Sequence, residues 1–446
     1  MTIAQQLLDV SSAKLAIKNA IELKGVTVAN APFAGYAAKI AAISSGSVAT
    51  PAAYTRPTDW LALPVLTVTD QKFVGLHQVW GDSDFVALSA AGAYTVNWGD
   101  GVIESFASNA VARHLYDFAN VNLGAATSEG WKQAIITVTP QAGQNLNVLN
   151  LHIKHNQVGL PAYCSGFVDI VISGSYLTGL LISSTSTSSA TQTIKFNALQ
   201  KVTIVTSPCI NTSYMLYNCT SLQSVNLSLP VCTTATQMLQ NCTSLQSVTL
   251  SLPACTTALS MLYGCTSLQS ITLSLPACTN ASYMLYNCTS LQAITLSLPA
   301  CMDATQMLVN CTSLQSVTLS LPVCTTTSAM LSGCTSLQSV TLSLPVCTTT
   351  SYMLQNCSSL QSVTLSLPVC TNTFVMLSGC TSLQSAVITG LKISTTINAK
   401  LSATALNALY TSLATVTNQT LTVTGNWGTA ADNPAIATAK GWVVTG

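Results

Sequence analysis

The sequence predicts a mainly β protein organised around a solenoid of 23-residue turns, with a block of strands before it and a helical segment at the N-terminus. Three observations predict it. The motif CTSLQSVTLSLP returns every 23 residues, with few changes, between about residues 197 and 391. Cysteine keeps the register in two columns, Cys219 to Cys380 and Cys209 to Cys370, and methionine in a third, Met215 to Met376. Within a turn, Leu245, Val248, Leu250 and Leu252 are interleaved with Gln246, Ser247, Thr249 and Ser251. That alternation describes a strand with one buried face and one wet face.

The rest of each turn follows from residue type. Pro253 cannot donate to a ladder and ends its strand. Ser260-Met261-Leu262 and its equivalents are too short for an α-helix, so a helical or 3₁₀ turn is expected behind the strand. The residue before the first cysteine column is Asn218, Asn241, Gly264, Asn287, Asn310, Gly333, Asn356 or Gly379. Asn and Gly take positive φ most readily, so every turn is expected to make one left-handed corner there. At a rung spacing of about 4.8 Å, eight turns span roughly 40 Å. The run Asn241-Cys242-Thr243-Ser244-Leu245, preceded by Met238-Leu239, resembles the short leucine-rich repeats of bacterial surface proteins of the BspA-like group. The resemblance covers residues 197–391 and implies a leucine-rich-repeat-like fold without implying one function.

Before the repeats, Ile3, Leu7, Leu8, Leu15, Ala16, Ala20, Ile21 and Leu23 recur at helical spacing within residues 1–46. The runs Ala16-Ile17-Lys18-Asn19-Ala20-Ile21 and Lys39-Ile40-Ala41-Ala42-Ile43 resemble the N-terminal region of tail-fibre and appendage proteins of tailed bacteriophages. That resemblance implies a virion-attachment segment. Residues 47–70, with Pro51, Pro57 and Pro64, read as an extended linker. Strands are expected at Phe85 to Leu88, Tyr94 to Trp98, Val102 to Phe106 and Ile135 to Val138. Trp98-Gly99-Asp100-Gly101 with His114-Leu115-Tyr116 resembles the W-G-D-G…H-x-Y pattern of PKD-type β-sandwiches, which implies such a domain over residues 71–140. Asp100 and His114 are read as its staple, with no catalytic role. Residues 141–196 look like degenerate turns capping the solenoid, because an end rung otherwise exposes a core face and an open edge. Residues 392–446 close the other end, with a helix over Leu401 to Leu413 and strands at Leu421 to Val423 and Trp442 to Val444.

Composition narrows the function. Only 6% of the 446 residues are charged and the net charge is +1, so nothing favours nucleic acid, an acidic substrate or a membrane surface. No apolar run is long enough for a transmembrane helix. Met1 to Ser11 lacks the basic start, apolar core and cleavage site of a secretion signal, so synthesis and assembly in a host cytoplasm are expected. Seventeen cysteines without a C-x-x-C pair, and no histidine in the repeats, argue against zinc. Buried, reduced thiol columns are expected instead. Catalysis finds no general base, no carboxylate pair and no activated nucleophile in the repeats, so neither enzyme nor cofactor is expected.

Binding is where the repeats vary. Tyr214, Gln237, Tyr283, Gln306 and Tyr352 stand just before a methionine, and Tyr217, Gln240, Tyr263, Tyr286 and Gln355 stand two places after one. Phe374 lies two places before Met376. Tyr with Ser, Gln and Asn is the composition of adaptable paratopes, so these are the receptor-binding candidates. The Gln/Ser/Thr strand face is the rival surface. The resulting expectation is a non-enzymatic phage tail-fibre or receptor-binding protein of the virion that adheres to a host surface glycan or protein. Other tail or baseplate proteins would hold it through residues 1–46, without nucleic acid or membrane insertion. The tail-fibre resemblance also implies a homotrimer, although no heptads support one. The alternatives are a bacterial cell-surface adhesin of the same repeat type and a purely structural virion protein.

Overall fold

The computed structural model describes residues 54–446 apart from residues 83, 152, 154–161, 183–192 and 197. The helical reading of residues 1–46, the attachment role given to them and the first part of the linker lie outside the described residues.

Two sheets sharing one core begin the described chain. One contains β1 (Lys72–Val79), β6 (Lys132–Pro140), β3 (Tyr94–Asn97) and β4 (Ile103–Phe106), paired antiparallel. The other orders β10 (Gly179–Leu181), β7 (Val148–Asn150), β2 (Phe85–Ala91) and β5 (Val111–Leu115). Phe73, Val96 and Trp98 of the first sheet and Val86, Leu88 and Leu149 of the second belong to one buried cluster. β1 and β5 escape the sequence reading. Most of KFVGLHQV is buried on both faces, so β1 shows no alternation, and β5 is a short strand carrying Arg113 and His114.

The β9 strand (Phe167–Ser173) joins this unit to the solenoid. It pairs antiparallel with β1 and parallel with β12 (Lys201–Thr206), so one nine-stranded sheet runs from β4 to β15 (Ser270–Ser274). Parallel coils begin irregularly. Val148 pairs with Gly179 and Asp169 with Lys201, intervals well above the later period, whereas Lys201 pairs with Ser224 at the 23-residue step. β8 (Ala162–Cys164) pairs parallel with β11 (Thr193–Lys195) in the same region. Residues 54–70 are extended but fastened to the sheet. Arg56 Nε lies 2.7 Å from Asp169 Oδ2, and Trp60 packs edge-on to Trp131 at 5.8 Å.

The regular turns carry five-residue strands in exact register: β13 (Ser224–Ser228), β14 (Ser247–Ser251), β15, β16 (Ala293–Ser297), β17 (Ser316–Ser320), β18 (Ser339–Ser343), β19 (Ser362–Ser366) and β20 (Ser385–Thr389). Val225 meets Val248, which meets Ile271, so each strand stacks its apolar residues on those of the next. The strand face is not one continuous carpet. Its ladder is interrupted between β15 and β16 and between β17 and β18, where Ile271, Leu273, Val317 and Leu319 are only half-buried. The opposite edge is unbroken, with bridges stepping from Asn211 through Thr234, Asn280 and Asp303 to Asn372. Bulky Leu, Ile and Val fill the strand side, while Cys and Ala flank the bridge edge.

The turn behind the strand is not helical. Met261 N–H donates to Ala258 O, Tyr263 N–H to Ser260 O and Cys265 N–H to Leu262 O, giving successive reverse turns. Ser260 at φ +52° excludes a helix between them. After β20 the coils continue as β21 (Thr395–Thr396), β22 (Gln419–Thr422) and β23 (Trp442–Thr445), all parallel, with α1 (Ala403–Ser412) and α2 (Ala435–Thr438) between them. Ser402 caps α1 by accepting from Ala405 N–H. Buried Asn426 accepts from Ala399 and Leu401 N–H and donates to Ile397 and Val423 carbonyls.

Candidate functional site

Two left-handed corners, not one, shape each turn on the bridge side. The Asn/Gly corner is present at every position expected, from Asn218 at φ +56° to Gly379 at φ +78°. The second stands just before each methionine, at Tyr214, Gln237, Ser260, Tyr283, Gln306, Ala329, Tyr352 and Val375, with φ between +52° and +62°. Residue type does not announce it. A left-handed non-glycine residue costs roughly 1–2 kcal/mol, and a β-branched one such as Val375 is an outlier even among these. The conformation is imposed from outside the residue. Tyr283 N–H donates to Thr305 O at 2.9 Å, Gln306 N–H to Ser328 O at 2.8 Å and Tyr352 N–H to Phe374 O at 2.9 Å. The seven corners from Tyr214 to Tyr352 are therefore each pinned to the next coil by their own amide.

This places the variable side chains on an accessible stripe over a rigid backbone. Tyr214, Tyr352 and Phe374 are exposed. Tyr217, Gln237, Gln240, Tyr263, Tyr283, Tyr286, Gln306 and Gln355 are half-buried. The aromatic members gather at three stations. Tyr214 and Tyr217 lie 5.9 Å apart at the first. At the second, Tyr263 stacks parallel on Tyr286 at 4.7 Å, with Tyr283 at 6.1 Å from Tyr286. At the third, Tyr352 meets Phe374 edge-on at 5.4 Å. Gln237, Gln240 and Gln306 lie in coils between the stations, and Gln355 shares the coil of Tyr352.

The third station borders a feature absent from the sequence reading. A cavity of about 450 Å³ opens between the last regular coil and the closing parallel strands, lined by Phe374, Val375, Asn372, Thr373, Thr396 and Asn398 among others. Its two walls come from segments well separated in sequence, one in the repeats and one in the cap. No periodicity links them, so no local signal could have brought them together.

Thiols bind the coils from within. The first column donates across the turn boundary: Cys242 Sγ to Leu216 O at 3.1 Å, Cys265 to Leu239 O at 3.2 Å, Cys288 to Leu262 O at 3.4 Å. The second column donates locally, as Cys278 does to Asn280 O at 3.3 Å. Burial raises the Cys242 and Cys288 thiols well above the usual range, reinforced by neighbouring thiols of the column, and holds Cys265 and Cys311 at about 12. Such thiols are neutral hydrogen-bond donors and poor nucleophiles. Threonines add a second coil-to-coil thread, with Thr266 Oγ1 donating to Thr243 O and Thr289 Oγ1 to Thr266 O.

In the sandwich, Asp100 Oδ2 lies 2.8 Å from His114 Nε2, Asp100 Oδ1 accepts from Val102 N–H, and His114 stacks on Trp98 at 4.9 Å. Tyr116 Oη donates to Trp98 O. Every partner is internal, so these residues brace the hairpin. His77 is fully buried between Tyr116 and Phe167, and burial drives its pKa down to about 3. Among the described residues no three histidine, cysteine or acidic side chains are grouped to hold a metal, and no helix is long and apolar enough to cross a membrane.

Residues 187–308 and 304–400 match the BspA type leucine rich repeat region, in 6 copies. No curated protein matches the chain. Among solved structures the chain is similar to a leucine-rich repeat protein from Bacteroides ovatus ATCC 8483, with 12% identity, a TM-score of 0.30, and 65% of this chain and 87% of that one covered. It is also similar to a leucine rich cell surface protein from Faecalibacterium prausnitzii A2-165, with 16% identity, a TM-score of 0.19, and 50% and 90% covered. The family match spans the regular coils and stops short of the sandwich.

Proposed function

We propose that this chain is a non-enzymatic adhesion protein that presents the aromatic stripe of its BspA-type solenoid to a neutral glycan or protein surface. One observation carries the reading: the residues that vary from turn to turn are accessible, and the corners beneath them are fixed by coil-to-coil hydrogen bonds. Aromatic area on a pre-organised backbone is ordered before contact, which is the condition for binding at low entropic cost. The repeat match favours a cell-surface adhesin over a phage tail fibre, because the family matched over residues 187–400 is the BspA type leucine rich repeat region. The tail-fibre reading rests on the Ala16–Ile43 run. In that reading residues 1–46 would dock on other virion proteins and the protein would assemble as a homotrimer made in the host cytoplasm.

The test uses the full chain. Adhesion to a panel of bacterial and host cells is compared for the native protein and a Tyr283→Ala/Tyr286→Ala variant with unchanged circular dichroism. Loss of at least about tenfold in adhesion is expected, since interface tyrosines commonly contribute about 2 kcal/mol each. Undiminished adhesion by the variant sinks the stripe as the contact surface. Immunogold labelling of producing cells and of virions from their cultures separates the two settings, with label on the cell surface expected.

A further inference from the structure

We propose that the cavity at the C-terminal end of the stripe is a binding site for a neutral sugar, one pyranose ring or a disaccharide. The inference rests on the adhesion reading and assigns it a ligand class. Three observations converge. The space, about 450 Å³, lies within the range of small-molecule sites. No ionisable side chain lines it, so an anionic or cationic ligand would be desolvated without a counter-charge. The lining mixes hydroxyls and amides with one exposed aromatic ring, Phe374, which is 63% accessible and braced edge-on by Tyr352.

Those groups are positioned to act. Thr396 and Asn398 make no side-chain hydrogen bond among the described residues, which leaves their donors and acceptors for a ligand. Asn372 uses Oδ1 to accept from Phe374 N–H, orienting the ring at the mouth. Behind the wall, Thr373 Oγ1 donates to Thr395 Oγ1 at 3.0 Å, tying the last coil to the closing strands. Val375, left-handed at φ +57° despite its β-branch, turns the chain at the same wall. A purely apolar ligand would leave the hydroxyls and amides unpaired. A pyranose offers both halves of the match: C–H groups on one face for the Phe374 ring, and equatorial hydroxyls for Thr396 and Asn398.

The experiment is saturation-transfer NMR and calorimetry on the full chain with glucose, galactose, mannose and N-acetylglucosamine, with galacturonate and N-acetylneuraminate as charged controls. At least one neutral sugar is expected to bind with a Kd near about 1 mM or tighter, and the charged sugars at least tenfold more weakly. Phe374→Ala and Asn398→Ala should each weaken binding about tenfold. The Phe374 and Asn398 variants are read for sugar binding and the Tyr283→Ala/Tyr286→Ala variant for cell adhesion alone, so failure of the stripe and failure of the cavity are read separately. The proposal is overturned by no neutral sugar binding, by charged sugars binding equally well, or by binding that survives both cavity substitutions in correctly folded protein.

Discussion

Raising the pH should dismantle the solenoid through its cysteines. In the first column, burial holds Cys242, Cys288, Cys334 and Cys357 well above the ordinary thiol value, and Cys265, Cys311 and Cys380 at about 12 against a reference of 9.0. The folded state therefore keeps its thiol protons at pH values where the unfolded chain has lost them. The stability this represents is complete below pH 9 and is lost as pH climbs from 9 towards 12. Each thiol that stays protonated in the folded state while it is ionised in the unfolded chain contributes a slope of about 1.4 kcal/mol per pH unit. With seven such thiols the combined slope is on the order of 10 kcal/mol per pH unit, which exceeds half of a typical domain's whole stability. Unfolding should thus begin within about one unit above pH 9 and release several protons at once.

The Raman S–H stretching band follows thiol ionisation free of tyrosine interference, and far-ultraviolet circular dichroism follows the strands. The strand signal and the first-column share of the S–H band should vanish together in one steep step, after Cys232 and Cys324, whose pKa values are lowered by hydrogen bonds from neighbouring thiols, have ionised. A Cys288→Ala variant should flatten that step by one proton. Loss of more than the second-column share of the S–H band near pH 9 with the strand signal intact would falsify the reasoning, because it would mean that water reaches the first column in the folded state.

Two further outcomes follow from the junction between sandwich and solenoid. A fragment of residues 141–446 removes β1 from β9 and bares both a strand edge and the ring of Phe167, so it should aggregate on size-exclusion chromatography, while residues 54–446 elute as a discrete species. Arg56→Leu strands the carboxylate of buried Asp169, whose Oδ1 already lacks a partner, and should cost about 3–5 kcal/mol in denaturant unfolding; a loss under 1 kcal/mol would show that water reaches Asp169.

Much of this architecture was legible because residue types dictated it. The strands follow from period-2 alternation, the thiol columns from their 23-residue step, and the Asn/Gly corner from the two residues that best tolerate positive φ. The illegible parts share a cause: their conformation is set by partners distant in sequence. Tyr283 is left-handed because the Thr305 carbonyl of the next coil holds its amide, against its own preference. β1 shows no alternation because both its faces are covered. β9 reads as one more apolar strip, and nothing local says that it pairs antiparallel on one side and parallel on the other. The cavity beside Phe374 required the last coil and the cap to be in contact before it existed at all. Among the candidates, the residue types alone leave a binding stripe and packing between coils equally open, and the gathering of Tyr263, Tyr283 and Tyr286 at one station depended on coil spacing.

The same distinction explains why variation concentrates where it does. In each turn, Leu, Val, Met and Cys side chains fill the core or close a carbonyl, and a change there propagates to both neighbouring coils. Thr hydroxyls thread one coil to the next and are constrained likewise. The residues directly before the methionine differ: from Tyr214 to Tyr352 their backbone amides make inter-coil bonds, whereas among the described residues their side chains make no hydrogen bond to the next coil. Tyr, Gln, Ser, Ala and Val can therefore be exchanged at the second left-handed corner without disturbing the ladder, at a strain similar for every one of them except β-branched Val375. A solenoid built this way keeps its stability in invariant columns and its surface chemistry in a separate, interchangeable stripe. The strand face lacks that freedom. Its Ser and Thr sit between core residues on a ladder already interrupted at two seams, so a change of register or bulk there bears on folding first. For a protein of uniform repeats, recognition should lie on the stripe and in the cavity at its end, because those are the places where sequence can change while the coil does not.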